Sequence, residues 1–392
     1  MAVQKLNSKV LSVGAKHWDR ELFDELIPLP DGTTYNSYII EGKESTALID
    51  TVDPETIDQL MENLDEAGVE QIDYIIANHA EQDHSGGLPY ILEEYPEATI
   101  ITNSKCKRFL TDLLPVEEDD FKVVEDGEEI SLGDKTLEFL KTPWVHWPET
   151  LSTYLQEDNI LFPCDFFGAH IAASKLYVQD EQRVLEAAKR YYAEIMMPFR
   201  GQIKKNMKKL EGYEIDEIAP SHGQVYSDPS LIMDAYSEWI SDDVKNEVVL
   251  PYVSMHGSTK KMVDHLIDAL TNRDIVVKPF NLTKVDLGEL AKALVDAATI
   301  VLASPTMLTG THPEALYGTV LVNALRPKTK YAAIIGSYGW GGKMEQEIKD
   351  HLNRLNVDLF SSVIKKGHPD ESVFEELDQL ADSIKDKHKD IN

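Results

Sequence analysis

The sequence predicts an α/β protein with two domains, which we place at residues 1–245 and 246–392. Its 392 residues exceed the size at which a single hydrophobic core keeps growing. Up to about residue 240, short apolar runs and turn signals alternate with amphipathic segments, which is typical of layered sheets covered by helices. From Val248 onward a regular strand, loop and helix rhythm begins, and this rhythm indicates a doubly wound parallel sheet.

In the first domain, hydrophobic periodicity predicts nine strands and five helices. The predicted strands span residues 10–13, 38–40, 46–49, 74–77, 99–102, 137–140, 152–155, 160–162 and 215–219. The predicted helices span residues 54–67, 88–94, 105–114, 181–197 and 203–210. Turn signals such as Pro30-Asp31-Gly32 and Gly133-Asp134 separate the strands.

In the second domain the same criteria predict strands that alternate with crossover helices. The predicted strands span residues 248–253, 275–279, 299–303 and 331–335. The predicted helices span residues 259–270, 287–297, 313–325, 342–355 and 372–385. The boundary between the two patterns lies near residues 242–247.

Composition restricts the class of protein. The 38 basic and 69 acidic side chains give a formal net charge of −31, which argues against nucleic acid or an anionic membrane as a partner. Cys106 and Cys164 are too few for a disulfide framework and lack the Cys-x-x-Cys spacing of an iron–sulfur centre. The first twenty residues do not read as a secretory signal, and no apolar run approaches membrane-spanning length. We therefore expect a cytoplasmic protein whose iron–sulfur donor, if any, is a separate chain.

Four potential metal ligands follow the apolar run that begins at Tyr74. They are His79, Glu81, Asp83 and His84. In an extended segment, alternation places the first three on one side and His84 on the other, an arrangement suited to two neighbouring ions. Each residue taken alone is more often an ordinary surface or core residue, so the prediction of a metal centre depends on their density.

Three more candidate ligands, His146, Asp165 and His222, each lie just after a predicted strand. Strand ends can bring residues that are distant in sequence to one edge of a sheet. Four imidazoles and three carboxylates make an oxygen-rich donor set, which favours iron that cycles to Fe(III) over zinc. Asp165 is the only carboxylate supplied from its own strand, so it is the candidate to bridge two ions.

Three loops of the second domain each follow a predicted strand, so they lie at the carboxyl edge of the sheet, where ligands bind. Their hydroxyls, glycines and aromatic rings suit a phosphate and a flat ring system. A G-x-G-x-x-G fingerprint is absent after the first strand, which favours a mononucleotide such as FMN, although unliganded turns have a similar composition. The predicted binding residues are Ser254, Met255, His256, Gly257, Ser258 and Thr259; Ser304, Pro305, Thr306, Met307, Leu308, Thr309 and Gly310; and Ser337, Tyr338, Gly339, Trp340 and Gly341.

With both sets of residues in one chain, the sequence resembles the flavodiiron proteins over nearly its whole length. The motifs that carry the resemblance are His-Ala-Glu-Gln-Asp-His at 79–84, Pro-Trp-Val-His-Trp-Pro at 143–148, Cys-Asp-Phe-Phe-Gly at 164–168, Pro-Ser-His-Gly at 220–223 and Ser-Tyr-Gly-Trp at 337–340. The resemblance implies an αββα metallo-β-lactamase-like domain followed by a flavodoxin-like domain. It also implies FMN and two non-haem irons as cofactors.

By that resemblance, His79, Glu81 and His146 would hold one iron, and Asp83 and His222 the other, with Asp165 as the bridge. His84 would be either a ligand or a neighbour of the ligands. Members of the family reduce dioxygen to water or nitric oxide to nitrous oxide, and they are typically head-to-tail dimers. One departure is that Leu29-Pro30-Asp31-Gly32 stands where many members have a histidine, which leaves the choice between the two substrates open.

The electron donor is not specified by the sequence. Rubredoxin, a reduced deazaflavin or a flavin reductase would each suit this chain, which could act as a homodimer or a dimer of dimers. Two other functions fit parts of the pattern. One is a flavin electron carrier whose first domain is a metal-poor scaffold. The other is a dinuclear zinc hydrolase with an accessory flavin domain, against which Glu81 argues because the hydrolases carry histidine there.

Overall fold

The computed structural model describes residues 3–391, which form two compact units. Within that range the first unit runs to Tyr191 and resumes from Phe199 to Ile240. The second unit comprises the short segment Tyr192–Pro198 and the chain from Ser241 onward. No helix in the described range has both the length and the apolar composition needed to cross a membrane.

The first unit contains many short strands. In chain order they are β1 Gln4–Lys5, β2 Val10–Ser12, β3 Ala15–His17, β4 Leu22–Phe23, β5 Ile27–Pro28, β6 Thr33–Tyr35, β7 Tyr38–Glu41, β8 Thr46–Ile49, β9 Tyr74–Ile76, β10 Thr99–Thr102, β11 Phe121–Val123, β12 Glu128–Ser131, β13 Thr136–Lys141, β14 Leu151–Leu155, β15 Ile160–Phe162 and β16 Glu217–Ile218. Its helices are α1 Ile57–Ala67, α2 Gln82–Ser85, α3 Leu88–Glu94, α4 Ser104–Leu113, α5 Glu181–Tyr191, α6 Arg200–Leu210 and α7 Ser230–Ile240.

Two main sheets pack face to face in this unit. The first has the strand order β1-β2-β7-β8-β9-β10-β11, and the second has the order β12-β13-β14-β15-β16. Buried side chains from both sheets, such as Ile49 and Ile76 from the first and Phe139 and Phe162 from the second, form one core between them. The other face of the first sheet packs against α1, α3 and α4 through residues such as Leu60. The result is the layered αββα arrangement.

Local sequence explains where several of these helices begin and end. The side chain of Asn103 accepts hydrogen bonds from the backbone N–H groups of Lys105 and Cys106, which caps the start of α4. Gly68 ends α1 in the left-handed conformation, at φ 72°. These caps fix the end of α1 and the start of α4.

The second unit contains one larger sheet and its helices. Its strands are β17 Lys245–Tyr252, β18 Val276–Asn281, β19 Ala297–Met307, β20 Gly310–Thr311, β21 Tyr331–Tyr338, β22 Asp358–Leu359 and β23 Val363–Lys366. Its helices are α8 Ser258–Thr271, α9 Leu287–Leu294, α10 Pro313–Leu325, α11 Met344–His351 and α12 Glu371–His388. The order β18-β17-β19-β21-β22 is parallel throughout, with β23 also parallel to β21. This is the flavodoxin-like order of a doubly wound sheet.

The structure differs from the prediction at the end of one helix and in several elements that were not predicted. The helix predicted at 181–197 is wrong at its end, because α-helical structure stops at Tyr191 and a π-helical turn follows at Tyr192–Met196. That turn packs against α9 and α10 of the second unit, so its apolar residues do not continue the face of α5. The helix α7 was not predicted either. The short strands β3 to β6 were missed because two- and three-residue strands carry almost no periodic signal.

Candidate functional site

The segment with four potential ligands leaves the first sheet at the end of β9. Glu81 is still extended, but Gln82–Ser85 is a helical turn, closed by hydrogen bonds to the carbonyl groups of Glu81 and Gln82. The extended conformation that we predicted for residues 79–84 is therefore wrong from residue 82 onward. Asp83 and His84 are positioned by the turn rather than by strand alternation, and both are buried.

The first group of donor atoms comprises His79, Glu81, His146 and Asp165. Glu81 Oε2 lies 3.1 Å from His79 Nε2 and 2.9 Å from His146 Nε2. Asp165 Oδ2 lies 3.4 Å from His79 Nε2 and 3.6 Å from His146 Nε2. Two imidazoles and two carboxylates thus converge within the distances that one metal ion would span.

The second group comprises Asp83, His84 and His222, and Asp165 faces it as well. Asp83 Oδ2 lies 3.1 Å from His222 Nε2, and Asp83 Oδ1 lies 3.4 Å from His84 Nε2. Asp165 Oδ1 lies 2.8 Å from His84 Nε2 and 3.4 Å from His222 Nε2. One carboxylate therefore offers one oxygen to each group.

Several of these buried polar atoms lack hydrogen-bond partners in the described part of the chain. They include both oxygens of Asp83, both oxygens of Asp165 and both ring nitrogens of His84. His84 Nε2 and Asp165 Oδ1 are close, but their angles do not make a hydrogen bond. Buried polar groups are normally satisfied, so orphaned donors aimed at a shared point fit metal ligands. The residues present thus fit a pair of cations.

The pKa values of His84 and Asp165 also show that the buried carboxylates need positive charge nearby. Burial alone would lower the pKa of His84, but the charges of Asp83 and Asp165 raise that pKa to about 9. Burial likewise opposes the charge on Asp165, yet the neighbouring charge of His84 holds the pKa of this carboxyl well below its usual range. Buried carboxylates require cations nearby, and here the imidazoles supply them by taking up protons. Metal ions would replace those protons.

Behind the ligands lie residues that the sequence did not reveal. Glu149 Oε1 accepts a hydrogen bond of 2.7 Å from His79 Nδ1, and the carbonyl oxygen of Thr34 accepts one of 2.6 Å from His222 Nδ1. Tyr191 is fully buried beside the centre, where burial and the charge of Asp165 raise its pKa well above the usual value. Glu149 follows His146 by three residues in a segment already noted for its ligand, and this proximity was the available signal.

An open cavity of about 370 Å³ gives access to the donor groups. Glu81 and Asp83 line it, together with Arg20, Asp24 and Trp147. Burial and the charges of Glu81 and Asp83 raise the pKa of Asp24. Trp147 packs edge-on to His79, with ring centroids 5.1 Å apart. A small molecule can therefore enter from solvent and reach the carboxylates of both groups.

The second unit has its own cavity, of about 180 Å³, at the carboxyl edge of the sheet. Ten of the eighteen predicted flavin-binding residues line it: Ser254, Met255, His256, Ser258, Thr259, Pro305, Thr306, Ser337, Tyr338 and Gly339. Gly367, which follows β23, lines it too and was not predicted. Three loops that are far apart in sequence thus meet around one cavity.

The other eight predicted residues do not line this cavity. They are Gly257, Ser304, Met307, Leu308, Thr309, Gly310, Trp340 and Gly341. Leu308 and Trp340 are 80% and 69% exposed, and the segment around Leu308 turns between β19 and β20. Their predicted contact with a flavin stays a prediction.

The cavity fits a flavin phosphate on two observations. It lies at the N-terminus of the fourteen-residue helix α8, where free backbone N–H groups favour an anion. The hydroxyl of Thr306 is buried without a hydrogen-bond partner in the described range, although this residue lines the cavity. The hydroxyls of Thr259 and Ser337 form a hydrogen bond of 3.0 Å with each other. A polar ligand would satisfy the orphaned hydroxyl.

Comparison with known proteins places the chain in a family and beside named relatives. Residues 33–223 match the family described as ODP family beta lactamase. The chain is 33% identical to coenzyme F₄₂₀H₂ oxidase of Methanothermobacter marburgensis, covering 91% of this chain and 92% of the relative. It is 33% identical to nitric oxide reductase of Moorella thermoacetica, covering 89% of each.

Solved structures show the same likeness over the whole length. Rubredoxin oxygen:oxidoreductase from Desulfovibrio gigas superposes with a TM-score of 0.94 at 29% identity, covering 99% of this chain and 98% of that chain. The fold and the two sites define a protein with a metallo-β-lactamase-like unit and a flavodoxin-like unit. The chain belongs to the flavodiiron protein family.

Proposed function

We propose that this chain is an oxidoreductase that reduces dioxygen to water, nitric oxide to nitrous oxide, or both. The proposed centre is a pair of non-haem irons in residues 1–245, supplied with electrons through FMN in residues 246–392. The observation that carries the proposal is the pairing of two donor groups that share Asp165. Relatives named coenzyme F₄₂₀H₂ oxidase, nitric oxide reductase and rubredoxin oxygen:oxidoreductase support the reaction class.

The proposed ligand division follows the two groups. His79, Glu81 and His146 would hold one iron, with Asp165 Oδ2. Asp83, His84 and His222 would hold the other, with Asp165 Oδ1. We include His84 as a ligand because its Nε2 lies in the second group without a hydrogen bond.

When bound, two ferrous ions and a two-electron-reduced flavin together supply the four electrons that reduce dioxygen to two waters. The reduction of nitric oxide needs fewer electrons, since two molecules of nitric oxide take up two electrons and two protons to give nitrous oxide and one water. The residues of the chain would hold the ions and form the path by which the substrate reaches them. Glu81 and Asp83 lie at the cavity wall, so an entering diatomic molecule meets both groups, and Trp147 covers His79 on one side.

The electron donor and the assembly are also proposals. The name of the Desulfovibrio relative contains rubredoxin, and the Methanothermobacter relative is named for a reduced deazaflavin coenzyme, so we propose an external donor of either kind. A flavin reductase remains a third candidate. We propose a homodimer or a dimer of dimers, in which the flavin of one subunit serves the irons of another.

Metal and flavin analysis of the purified protein tests the proposal first. We expect about two irons and one FMN per chain after production with ample ferrous iron. The anaerobically reduced protein is then mixed separately with dioxygen and with nitric oxide in a stopped-flow instrument. Rapid reoxidation by either substrate is expected, and the ratio of the two rates identifies the preferred one.

Two outcomes would contradict the proposal. Zinc in both positions with ester or thioester turnover and no need for a reductant would identify a hydrolase. A yellow protein without stoichiometric iron that passes electrons only to other carriers would identify a flavin electron carrier. Measurements on the same purified protein therefore test both alternative functions.

A further inference from the structure

The two donor groups are matched in their immediate ligands. Each contains two imidazoles, one carboxylate of its own and one oxygen of Asp165. The two positions therefore carry the same ligand charge. An electronic difference between two bound irons can then arise from the groups behind the ligands, since outer hydrogen-bond partners tune a metal through its histidines.

Glu149 lies behind one histidine of the first group. Its side chain is fully buried, and its Oε1 accepts hydrogen bonds from His79 Nδ1 at 2.7 Å and from the backbone N–H of Ala80 at 3.2 Å. The carbonyl oxygen of the same residue accepts a hydrogen bond from Asn103 Nδ2, which anchors its backbone. Glu149 thus holds His79 with Nδ1 protonated and Nε2 directed at Glu81 and Asp165.

Among residues 3–391, no carboxylate accepts a hydrogen bond from the outer nitrogen of a histidine in the second group. His222 Nδ1 donates to a neutral backbone carbonyl, that of Thr34. His84 Nδ1 has no hydrogen-bond partner in the described part of the chain. Asp50 is buried nearby, but its carboxylate accepts hydrogen bonds from Asn78 rather than from an imidazole, and its charge acts on both His84 and His79. Among residues 3–391, the carboxylate that accepts a hydrogen bond directly from a ligand imidazole therefore lies behind the first group.

We propose that Glu149 is a positioning residue whose charge makes the iron held by His79, Glu81 and His146 the more readily oxidised of the two. An imidazole that donates to a carboxylate is a stronger electron donor to a metal, and a stronger donor stabilises Fe(III) over Fe(II). The inference rests on the proposed function, since it requires two bound irons. It specifies which iron is oxidised first, which the matched ligand sets alone do not determine.

The test is an anaerobic redox titration of the iron-loaded protein, followed by electron paramagnetic resonance and Mössbauer spectroscopy. Glu149→Gln keeps the size of the side chain and an oxygen that can accept from His79, but removes the charge. We expect this variant to keep two irons. The lower of its two iron midpoint potentials should move to a more positive value, while the upper one changes little, so the two steps approach each other.

Two further variants separate charge from general disturbance. Glu149→Asp retains the charge and should restore most of the separation between the steps. Glu138→Gln is the matched control, because Glu138 accepts a 2.7 Å hydrogen bond from Tyr213 in the same unit but touches no ligand. It should leave both potentials unchanged.

The outcomes distinguish this inference from the proposed function. Unchanged potentials in Glu149→Gln, equal shifts of both steps, or loss of iron from this isosteric variant would overturn the role of the charge while leaving a di-iron enzyme intact. Failure of the unaltered protein to bind two irons would instead overturn the proposed function, and this inference with it.

Discussion

At the residue scale, the candidate ligands could be predicted because their chemistry is local. His79, Glu81, Asp83 and His84 lie within six residues, and such density is informative without any tertiary contact. The role of Glu149 could not be predicted in the same way. Its partner His79 lies seventy residues earlier, and a carboxylate gives no sequence signal of which imidazole it will meet.

Asp165 should be the residue to which the metal centre is most sensitive, since each of its oxygens faces a different donor group. Asp165→Asn keeps one carbonyl oxygen but replaces the other oxygen with an amide that cannot bind a cation. We expect the iron content to fall from about two to one or fewer per chain, and turnover to fall on the order of 100-fold or more. Iron analysis and oxygen consumption measure these effects.

The control for this change is Asp216→Asn, because Asp216 is an exposed aspartate of the same unit that bonds only to Asn159 among the contacts described. It should leave iron content and turnover unchanged. Full retention of two irons in Asp165→Asn would contradict the bridging position.

At the element scale, prediction succeeded where strands and helices are long. The rhythm of the second unit placed β17, β19, β21 and the helices α8 and α10 close to their observed positions. The ends of some strands were not predicted. For example, β19 continues to Met307, beyond the point where the apolar pattern of the sequence stops. Short strands such as β22 and β23 were missed because their pairing depends on β21 and not on their own composition.

Gly336 lies in the central strand β21, where the sheet leaves no space for a side chain. A Cβ atom there would lie 2.2 Å from the carbonyl oxygen of Ser304 and 2.4 Å from Met344. We expect Gly336→Ala to destabilise the second unit by about 1–3 kcal/mol, the usual range for overpacking. Urea denaturation followed by circular dichroism measures the loss.

Gly342 provides the matched comparison, since a Cβ atom at this position meets no described atom within 4 Å and the residue does not line the flavin cavity. Gly342→Ala should unfold at the same urea concentration as the unaltered protein. Equal effects of the two substitutions would show that space in β21 is not the determining factor.

The last helix, α12, is attached to the sheet through its final residue. His388 is buried, its Nδ1 donates to Asn246 Oδ1 at 2.8 Å, and its Nε2 accepts from Thr299 Oγ1 at 2.7 Å. Burial lowers the pKa of His388 to about 4. The folded protein therefore binds this proton less readily than the unfolded chain, whose histidine has a pKa of about 6.5.

It follows that the second unit loses stability as the pH falls from about 6.5 towards 4, and that His388 has no such effect above that range. At pH 5 the expected loss is about 2 kcal/mol. Urea denaturation at pH 7.5 and pH 5 measures it, with His388→Gln as the variant that cannot titrate. The pH-dependent part should be smaller in His388→Gln, and an equal dependence in both proteins would contradict this assignment.

At the scale of the whole molecule, each unit has a separate reason to depend on its own ligand. The first unit buries the carboxylates of Asp83 and Asp165 without hydrogen-bond partners in the described range, whereas the second presents a cavity at a helix N-terminus. The sequence predicted this division of chemistry because the two kinds of motif lie in separate predicted domains. It could not predict cavity volumes, which depend on how the loops pack.

Calorimetry should therefore show two separable effects of ligand removal. Chelation of iron should lower the unfolding temperature of one transition by at least about 5 °C, because iron that binds only the folded unit stabilises it. Removal of the flavin should lower the other transition. Restoring ferrous iron or FMN should reverse each change separately, and a single transition that responds equally to both treatments would contradict this independence.

The seven residues from Tyr192 to Pro198 have a consequence for how such a protein can be divided. In sequence they interrupt the first unit, yet they pack with α9 and α10 of the second unit. A polypeptide that started at Ser241 would lack Tyr192, Ile195 and Met196, all of them buried, and would leave bare apolar patches on those helices. Exchange of the second unit between relatives would therefore also require a compatible copy of residues 192–198. This requirement favours inheritance of the gene as one piece.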